Sequence, residues 1–284
     1  MVTVRDCCLK LQTVLTEYGV GEAELEAREL TAAACGLDAR SIWNWKSIPI
    51  SEEQQRTAEA FLLRRQKQEP LAYILGEWDF YGNTFRVTPD VLIPRSDTEW
   101  LCDAAVQCAK QMHQPRVLDL CCGSGCIGIS IALAVKDAQV TAVDYSQAAL
   151  SVTCDNAKRH ELPESRFSAV HGNALLPDSI AGEFDIVVSN PPYITQQEMQ
   201  ELDESVSAYE PHLALFGGID GLDFYRVMAQ TPPFALKSGG KIFLECGWKQ
   251  GQQVEQLFQD AGWKQTEVRC DLSGIPRIVC AERA

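Results

Sequence analysis

The sequence lacks a basic surplus, a long apolar run and any internal repeat, and each absence removes a class of protein. Its 284 residues carry 25 Lys and Arg against 39 Asp and Glu, a net charge of −14. Proteins that grip a nucleic acid backbone usually show a basic surplus, so direct nucleic acid binding is not expected. No apolar run is long enough to span a bilayer, and Arg5, Asp6 and Lys10 do not resemble a signal peptide. We therefore expect a cytoplasmic protein without a membrane partner.

Histidine is scarce, with four residues, whereas cysteine is plentiful, with twelve. Without an export signal, these cysteines are expected to be reduced thiols rather than a disulfide framework. The adjacent pairs Cys7-Cys8 and Cys121-Cys122 would pack poorly around one ion, and no His lies at ligand spacing. The sequence therefore predicts no metal site.

The length of the chain favours one principal domain with a smaller companion. Apolar residues follow a helical spacing up to about residue 60, so residues 1–75 are predicted to form a small helical domain. Residues 76–95 are predicted to be a connector in which Gly82-Asn83 turns a β-hairpin. Residues 96–284 form the main domain, and Ser96-Asp97-Thr98-Glu99 has the residue types of a helix N-terminus.

From Arg116 onward the patterns of strands and helices alternate, which is typical of an α/β, doubly wound fold with a parallel sheet. Two further strand-like pieces lie near Val268 and Ile278. The first four strands are predicted at residues 117–120, 140–143, 167–170 and 184–188.

The strand at 117–120 runs into a glycine-rich turn, Cys121-Cys122-Gly123-Ser124-Gly125, where a ligand could approach the backbone closely. No Lys-Ser or Lys-Thr follows, which excludes a Walker-type phosphate cradle, whereas Gly128 keeps a dinucleotide fingerprint open. Asp144 closes the next strand at the distance where an acidic residue receives ribose hydroxyls. Its alternative role is to cap the helix that begins at Ser146.

Asn173 and Ala174 follow the third strand, where they are predicted to reach the edge of an adenine. His171, beside them, is assigned no chemistry. Ligands of open α/β sheets collect beyond the carboxyl ends of the strands, so these loops are expected to share one crevice. The sequence thus indicates a nucleoside site.

The loop Asn190-Pro191-Pro192-Tyr193 follows the apolar strand at 184–188. Consecutive prolines fix φ and remove two backbone donors, which makes the loop a rigid set of acceptors. The Asn190 side-chain oxygen and the flat face of Tyr193 together suit a planar group that bears an NH2. A turn that merely ends the strand is the alternative.

Asp119 to Gly125, Asp144 and Asn190 to Tyr193 together resemble the S-adenosylmethionine-dependent methyltransferases of the Rossmann-like class, in the branch that methylates amino groups. The segments 69–76, 92–99 and 245–251 look like those of the release factor glutamine methyltransferases. The resemblance covers nearly the whole chain. It implies a mostly parallel sheet with an antiparallel last strand, beside a small N-terminal helical domain that recognises the substrate.

The resemblance also implies a reaction: a methyl group passes from S-adenosylmethionine to the side-chain amide nitrogen (N5) of the glutamine in the Gly-Gly-Gln motif of class 1 release factors. The enzyme would act as a monomer. Alternatives are a glutamine of a ribosomal protein, disfavoured by the way the segment 92–99 ends, and an exocyclic amine of adenine or guanine.

Residue roles carry over by position in the motifs. The resemblance implies catalytic roles for Asn190, Pro191, Pro192 and Tyr193. It implies cofactor binding by Asp119, Cys121, Cys122, Gly123, Ser124, Gly125, Asp144 and Asn190, to which the position after the third strand adds Asn173 and Ala174. One departure is Cys121, where the family usually has its first glycine; a side chain there is tolerable if φ is negative.

Overall fold

The structure is a computed structural model that describes residues 2–176, 180, 182–230 and 236–284. Its contacts divide the chain into two compact units, Met1–Gly76 with Glu204–Tyr209, and Glu77–Asp203 with Glu210–Ala284. Within the described ranges, no helix has both the length and the apolar character that crossing a membrane requires. The functional division into 1–75, 76–95 and 96–284 stays a prediction.

The first unit is helical. Its helices are α1 (Val4–Glu17), α2 (Ala23–Cys35), α3 (Glu52–Gln66), α4 (Leu71–Leu75) and, from later in the chain, the short α8 (Glu204–Ser207), with a 3-10 segment at Ala39–Ser47. Trp45, Leu11 and Leu30 are wholly buried at its centre. The Tyr209 hydroxyl donates to the Lys67 carbonyl at 2.5 Å, which links the segment Glu204–Tyr209 to the end of α3.

The second unit begins with a β-hairpin made of β1 (Glu77–Phe80) and β2 (Asn83–Arg86). Tyr81 and Gly82 form the turn, with φ of 49° and 72°. Positive φ at both central residues is the geometry that two-residue hairpin turns favour. The hairpin therefore turns one residue earlier than the sequence predicts, and Asn83 already belongs to the second strand.

A seven-stranded sheet forms the centre of the second unit, with the order β5-β4-β3-β6-β7-β9-β8. Its strands are β3 (Arg116–Leu120), β4 (Gln139–Asp144), β5 (Phe167–His171), β6 (Phe184–Ser189), β7 (Leu236–Glu245), β8 (Lys264–Cys270) and β9 (Pro276–Glu282). The first five pair in parallel, whereas β9 is antiparallel to both β7 and β8. The predicted fold, a mostly parallel sheet that ends with an antiparallel strand, is confirmed.

Helices cover both faces of this sheet. Successive side chains of a strand point to opposite faces, so strands made of continuous apolar residues need a covering layer on each side. Val117 of β3 belongs to one apolar cluster, and its neighbour Leu118 belongs to the other. The helices are α5 (Thr98–Ala109), α6 (Cys126–Ala134), α7 (Gln147–Arg159), α9 (Asp223–Gln230) and α10 (Gly251–Asp260). The chain order reverses between β3 and β6, and at such a point the carboxyl ends of the strands leave a crevice.

Helix α5 begins at Thr98, within the predicted segment and with Glu99 in its first turn, but without the capping hydrogen bond that the residue types favour. Asp97 has helical backbone angles and makes no capping hydrogen bond. Its carboxylate pairs instead with Arg277 at 2.8 Å. The ion pair with a distant strand therefore replaces the local cap that the residue type favoured.

Candidate active site

A cavity of about 370 Å³ lies at the carboxyl ends of β3, β4, β5 and β6. Most of the predicted site residues line it: Cys121, Cys122, Gly123, Ser124, Asp144, Asn173, Ala174, Asn190 and Pro192. Four predicted residues do not line it: Asp119, Gly125, Pro191 and Tyr193. The segment 90–98 adds a wall that residue-by-residue reasoning missed, although the family resemblance had singled out residues 92–99.

The glycine-rich turn leaves β3 by a sharp change of backbone direction. Cys121, Gly123 and Gly125 all have positive φ, at 58°, 54° and 79°. The condition of a negative φ, under which a side chain at Cys121 is readily tolerated, is therefore not met. A non-glycine residue in this conformation carries a strain of about 1 kcal/mol, which the surrounding structure must offset. Burial also raises the pKa of the Cys121 thiol, which keeps it protonated.

Two side chains of α7 hold this turn. Thr153 donates its hydroxyl to the Gly123 carbonyl at 2.8 Å, and Asn156 donates to the Ser124 carbonyl at 2.9 Å. A Cβ atom at Gly125 would stand 2.8 Å from the Thr153 methyl group, so the turn and the helix are in close contact. Neither α7 residue carries a local sequence signal, and both were missed.

Asp144 ends β4 and faces the cavity. Its two carboxylate oxygens accept from the amides of Gly123 at 2.9 Å and Ser146 at 2.8 Å. Burial raises its pKa, and these backbone hydrogen bonds oppose the rise. Ser146, not Asp144, caps α7, because its side chain accepts from the Ala149 amide. Each Asp144 oxygen keeps acceptor capacity for a hydroxyl in the cavity.

Asp119 lies beneath the turn and has no exposed surface. One carboxylate oxygen accepts from the Gly128 amide at 2.9 Å, and the other has no partner among the residues described. A Cβ atom at Gly128 would lie 2.8 Å from the first oxygen, so α6 packs here against β3 through a glycine. Burial raises the pKa of Asp119 to about 7.

Asn173 and Ala174 close the far end of the cavity. The Asn173 side-chain oxygen accepts from the Leu175 amide at 2.9 Å, which leaves its NH2 group as a donor. His171 hydrogen bonds through Nε2 with the Tyr145 carbonyl at 2.9 Å and stacks on the Tyr145 ring. This end of the cavity therefore offers the Asn173 NH2 group as a donor.

The loop after β6 presents acceptors at the opposite end. Asn190 donates its Nδ2 group to the Thr98 hydroxyl at 3.2 Å. No described residue donates to the Asn190 side-chain oxygen or to the Pro191 carbonyl. The Pro192 carbonyl packs against Gly217, where a Cβ atom would stand only 2.6 Å away. Two acceptors are thus held in place without a partner from the described chain.

Gln250 fixes the end of the same loop. Its NH2 group donates to the carbonyls of Tyr193 at 3.0 Å and Gly221 at 3.4 Å, and its oxygen accepts from the Gly247 amide at 3.0 Å. The Ile194 amide donates to the Leu215 carbonyl at 2.9 Å, which adds a backbone contact. Burial raises the pKa of the Tyr193 phenol and keeps it neutral.

Glu245 is the last residue of β7 and only 4% exposed. Burial raises its pKa to about 7, and hydrogen bonding from Thr98 and Asn190 opposes the rise. Asp97 raises the pKa further, whereas Arg277 lowers it. One of its carboxyl oxygens, Oε2, lacks a partner within the described part of the chain. A buried carboxyl group therefore stands directly behind Asn190.

Comparison with known proteins decides the family. The family model described as the methyltransferase small domain matches residues 102–208, and the one described as the PrmC N-terminal domain matches residues 10–76. A release factor glutamine methyltransferase of Geobacter sulfurreducens is 39% identical over 93% of this chain and 91% of its own length. This chain belongs to the release factor glutamine methyltransferases. A second member of that family, from Cereibacter sphaeroides, is 38% identical over 94% of both chains.

Solved structures agree on the fold of this family member. A T. thermophilus 16S rRNA methyltransferase, solved with AdoMet and guanosine, has a TM-score of 0.51 and 20% identity. The similarity covers 73% of this chain and 50% of that chain, and at this identity it shows the fold alone.

The residues around the cavity fit S-adenosylmethionine, the cofactor of this methyltransferase. Gly123 lines the cavity, and a Cβ atom there would meet no atom within 4 Å, so the missing side chain leaves space beside the backbone. The Asp144 carboxylate offers acceptors for hydroxyl groups at the end of the next strand. The chain is a methyltransferase that uses S-adenosylmethionine.

The thiols of this family member are all free. Cys122 and Cys126 are buried beside the turn, and burial raises the pKa of the Cys126 thiol to about 12. Within the described ranges, no group of three or more His, Cys, Asp or Glu residues could hold a metal ion. The expectation that the enzyme works without a metal stays a prediction.

Proposed function

We propose that this enzyme methylates the side-chain amide nitrogen of the glutamine in the Gly-Gly-Gln motif of class 1 release factors. The observation that carries the proposal is the pair of acceptors at the end of β6. The Asn190 oxygen and the Pro191 carbonyl accept from no described residue, and Asn190 lines the cavity that fits the cofactor. The names of the relatives support the choice of substrate.

The catalytic problem is the weak nucleophile. The lone pair of an amide nitrogen is delocalised, so the nitrogen must be held in line with the methyl carbon that it attacks. Asn190 and Pro191 would accept the two N–H groups, which aims the lone pair and stabilises the positive charge that develops on nitrogen. Each hydrogen bond supplies about 2 kcal/mol of transition-state stabilisation. Pro192 stiffens the loop, and Tyr193 packs on the amide plane.

When bound, S-adenosylmethionine supplies a methyl group on a sulfonium, which is already an activated leaving group. No covalent bond to the enzyme is therefore needed. The methylated amide cation is a strong acid that loses its proton to water, so we assign no general base among these residues.

The cofactor contacts in this proposal follow the carboxyl ends of four strands, β3, β4, β5 and β6. The turn from Cys121 to Gly125 holds the methionyl part by its backbone, with Asp119 supporting the turn from below. Asp144 receives the ribose hydroxyls. Asn173 and Ala174 contact the adenine edge, through the free NH2 group of Asn173 and the backbone of Ala174. Asn190 closes the site on the side of the methyl group.

The partner in this proposal is the release factor, and the helical unit helps to hold it. The enzyme works as a monomer in the cytoplasm, where release factors act, and contacts neither nucleic acid nor a membrane. The net charge of −14 supports the absence of a nucleic acid partner. Light scattering coupled to gel filtration would test the monomer, and a mass of twice 31.5 kDa would contradict it.

The substrate is tested by incubating the enzyme with labelled S-adenosylmethionine and recombinant release factors. We expect label on the glutamine of the Gly-Gly-Gln motif, located by mass spectrometry, and none on a release factor in which that glutamine is replaced by alanine. DNA, ribosomal RNA and ribosomal proteins are compared in the same assay. Faster transfer to any of these than to the release factors would contradict the proposal.

A further inference from the structure

Thr98 and Glu245 have no part in the mechanism above, yet Thr98 hydrogen bonds with Asn190 at 3.2 Å and Glu245 follows the strand residue paired with Ser189. Thr98 is 2% exposed and Glu245 is 4% exposed. We propose that Thr98 and Glu245 are positioning residues that turn the Asn190 side chain so that its oxygen, and not its NH2 group, faces the substrate. This inference rests on the proposed function, because it assigns Asn190 the task of accepting the substrate N–H.

The Asn190 side chain needs such a device because its two ends are alike in shape and opposite in hydrogen bonding. The torsion that exchanges the oxygen and the NH2 group has broad, roughly two-fold minima. The prolines that stiffen the loop fix the backbone but not this torsion. In the reversed orientation, the NH2 group of Asn190 would face the NH2 group of the substrate, and two donors would oppose each other.

The hydrogen bonds of Thr98 and Glu245 select one orientation. A hydroxyl both donates and accepts, so the 3.2 Å contact between Asn190 and Thr98 would not by itself decide. An ionised carboxylate only accepts. Glu245 is ionised above its raised pKa of about 7. When it then accepts a hydrogen bond from the Thr98 hydroxyl, the Thr98 oxygen is left to accept from Asn190. Glu245 lies beside Asn190 in the β6–β7 register, so its carboxylate favours the same orientation, with the NH2 end pointing inward.

The fold delivers these groups from three separate elements. Asn190 follows β6, and β6 pairs with β7 in parallel, with Ser189 opposite Leu244. The next residue of each strand therefore places Glu245 beside Asn190. Thr98 is the first residue of α5, it lines the cavity, and its hydroxyl accepts from Asn190. Thr98 lies in the segment 92–99 and Glu245 in the segment 245–251. The family resemblance marked both segments but assigned neither residue a role.

The test replaces the Thr98 hydroxyl by a methyl group of the same shape. For Thr98→Val we expect kcat on the release factor to fall by about 10- to 100-fold, the effect of misplacing one transition-state hydrogen bond. The Kd of S-adenosylmethionine and the KM of the release factor should stay within about threefold, because binding is not what the hydroxyl controls. Thr98→Ser restores a hydroxyl and should recover most of kcat.

Glu245→Gln tests the carboxylate at constant shape. A glutamine donates as well as accepts, so it no longer dictates the direction of the Thr98 proton, and kcat should fall. In the double variant with Thr98→Val, the loss should be no larger than in the worse single variant, because both changes release the same torsion. Thr141→Val, the same change in β4 outside the cavity, is the matched control.

Each outcome separates the two levels of the proposal. If Asn190→Ala is inactive while Thr98→Val keeps the wild-type kcat, the positioning role is wrong and the proposed function stands. If Asn190→Ala keeps full activity, the role of Asn190 and the inference fail together. A Thr98→Ser variant as slow as Thr98→Val, or an equal loss of cofactor binding in both, would show a packing role and overturn the inference.

Discussion

The turn after β3 and the loop after β6 end adjacent strands of one sheet, yet they are held in different ways. The turn after β3 is shaped by its own backbone, with positive φ at Cys121, Gly123 and Gly125. The loop after β6 has two prolines and depends on side chains from elsewhere, Thr98 at one end and Gln250 at the other. The cofactor end of the site is thus built locally, whereas the methyl-accepting end is assembled from remote elements.

The sequence distances make the same contrast. Thr153, which supports the turn after β3, is 30 residues away from Gly123 and lies in α7, the helix that follows β4. The supports of the loop after β6 lie 92 residues upstream and 57 residues downstream. It follows that changes near the first turn should act on cofactor binding, whereas changes near the loop should act on the rate of transfer.

The largest effect that separates the two is expected from Gly217→Ala. The new Cβ atom would stand 2.6 Å from both the Pro192 carbonyl oxygen and the Tyr193 Cα, so the loop must shift. Displacing the acceptors by about 1 Å should lower kcat by about 100-fold, whereas the Kd of S-adenosylmethionine changes little. Gly21→Ala, at a site where a Cβ atom meets nothing within 4 Å, is the control for kinetics and calorimetry.

A normal kcat for Gly217→Ala would contradict the claim that the loop after β6 controls the rate of transfer. A loss of cofactor affinity and turnover by the same factor would also contradict it, since the loop would then serve both ends of the site.

Gly125→Ala should give the next largest effect. It changes the turn after β3, so it should act on stability and cofactor binding. Its φ of 79° strains an alanine, and the Cβ atom would stand 2.8 Å from Thr153. We expect a loss of about 1–3 kcal/mol in the free energy of unfolding and weaker binding of S-adenosylmethionine. Gly262→Ala has a similar φ of 83° but open space, so it isolates the backbone strain. Equal losses in the two variants would contradict the close contact between turn and helix.

The smallest effect on turnover is expected from Asp119→Asn, whose signature is in the pH dependence of stability. Burial raises the pKa of Asp119 from 3.8 to about 7, so the folded state keeps a proton that the unfolded state has released. The free energy of unfolding of the wild type should therefore fall, relative to the variant, as pH rises between these values. The slope is on the order of 1 kcal/mol per pH unit.

Chemical denaturation of wild type and Asp119→Asn across this pH range checks the slope. Asp260→Asn, which removes the same charge at an exposed position on α10, is the matched control. A wild type that gains stability over Asp119→Asn as pH rises would contradict a raised pKa.

The sequence predicted the strands and helices of the sheet domain well. Strands buried on both faces are continuous apolar runs, and the alternation of strand and helix patterns along the chain indicates a parallel sheet. It also predicted which loops meet, since parallel strands share one carboxyl edge. It failed where a tertiary contact overrides a local preference. Asp97 has the residue type of a cap but pairs with Arg277, and Cys121 adopts a φ that favours glycine.

The supports of the site could not be predicted from local patterns. Thr153 and Asn156 lie three residues apart within α7, and this spacing is common to all helices, so it does not mark them as supports of a loop. Gln250 and Thr98 gain their function only when β7 and α5 are placed beside β6. The resemblance to a family marked the segments 92–99 and 245–251, but the structure was needed to show that both lead to the same loop.

The most direct test of the central claim is the rate of methyl transfer by Asn190→Ala, measured beside its affinity for S-adenosylmethionine. The account predicts that methylation of the release-factor glutamine falls by about 100-fold or more, because the amide loses one of its two acceptors and its alignment. The Kd of the cofactor should rise only modestly. Methylation at the wild-type rate would contradict the account.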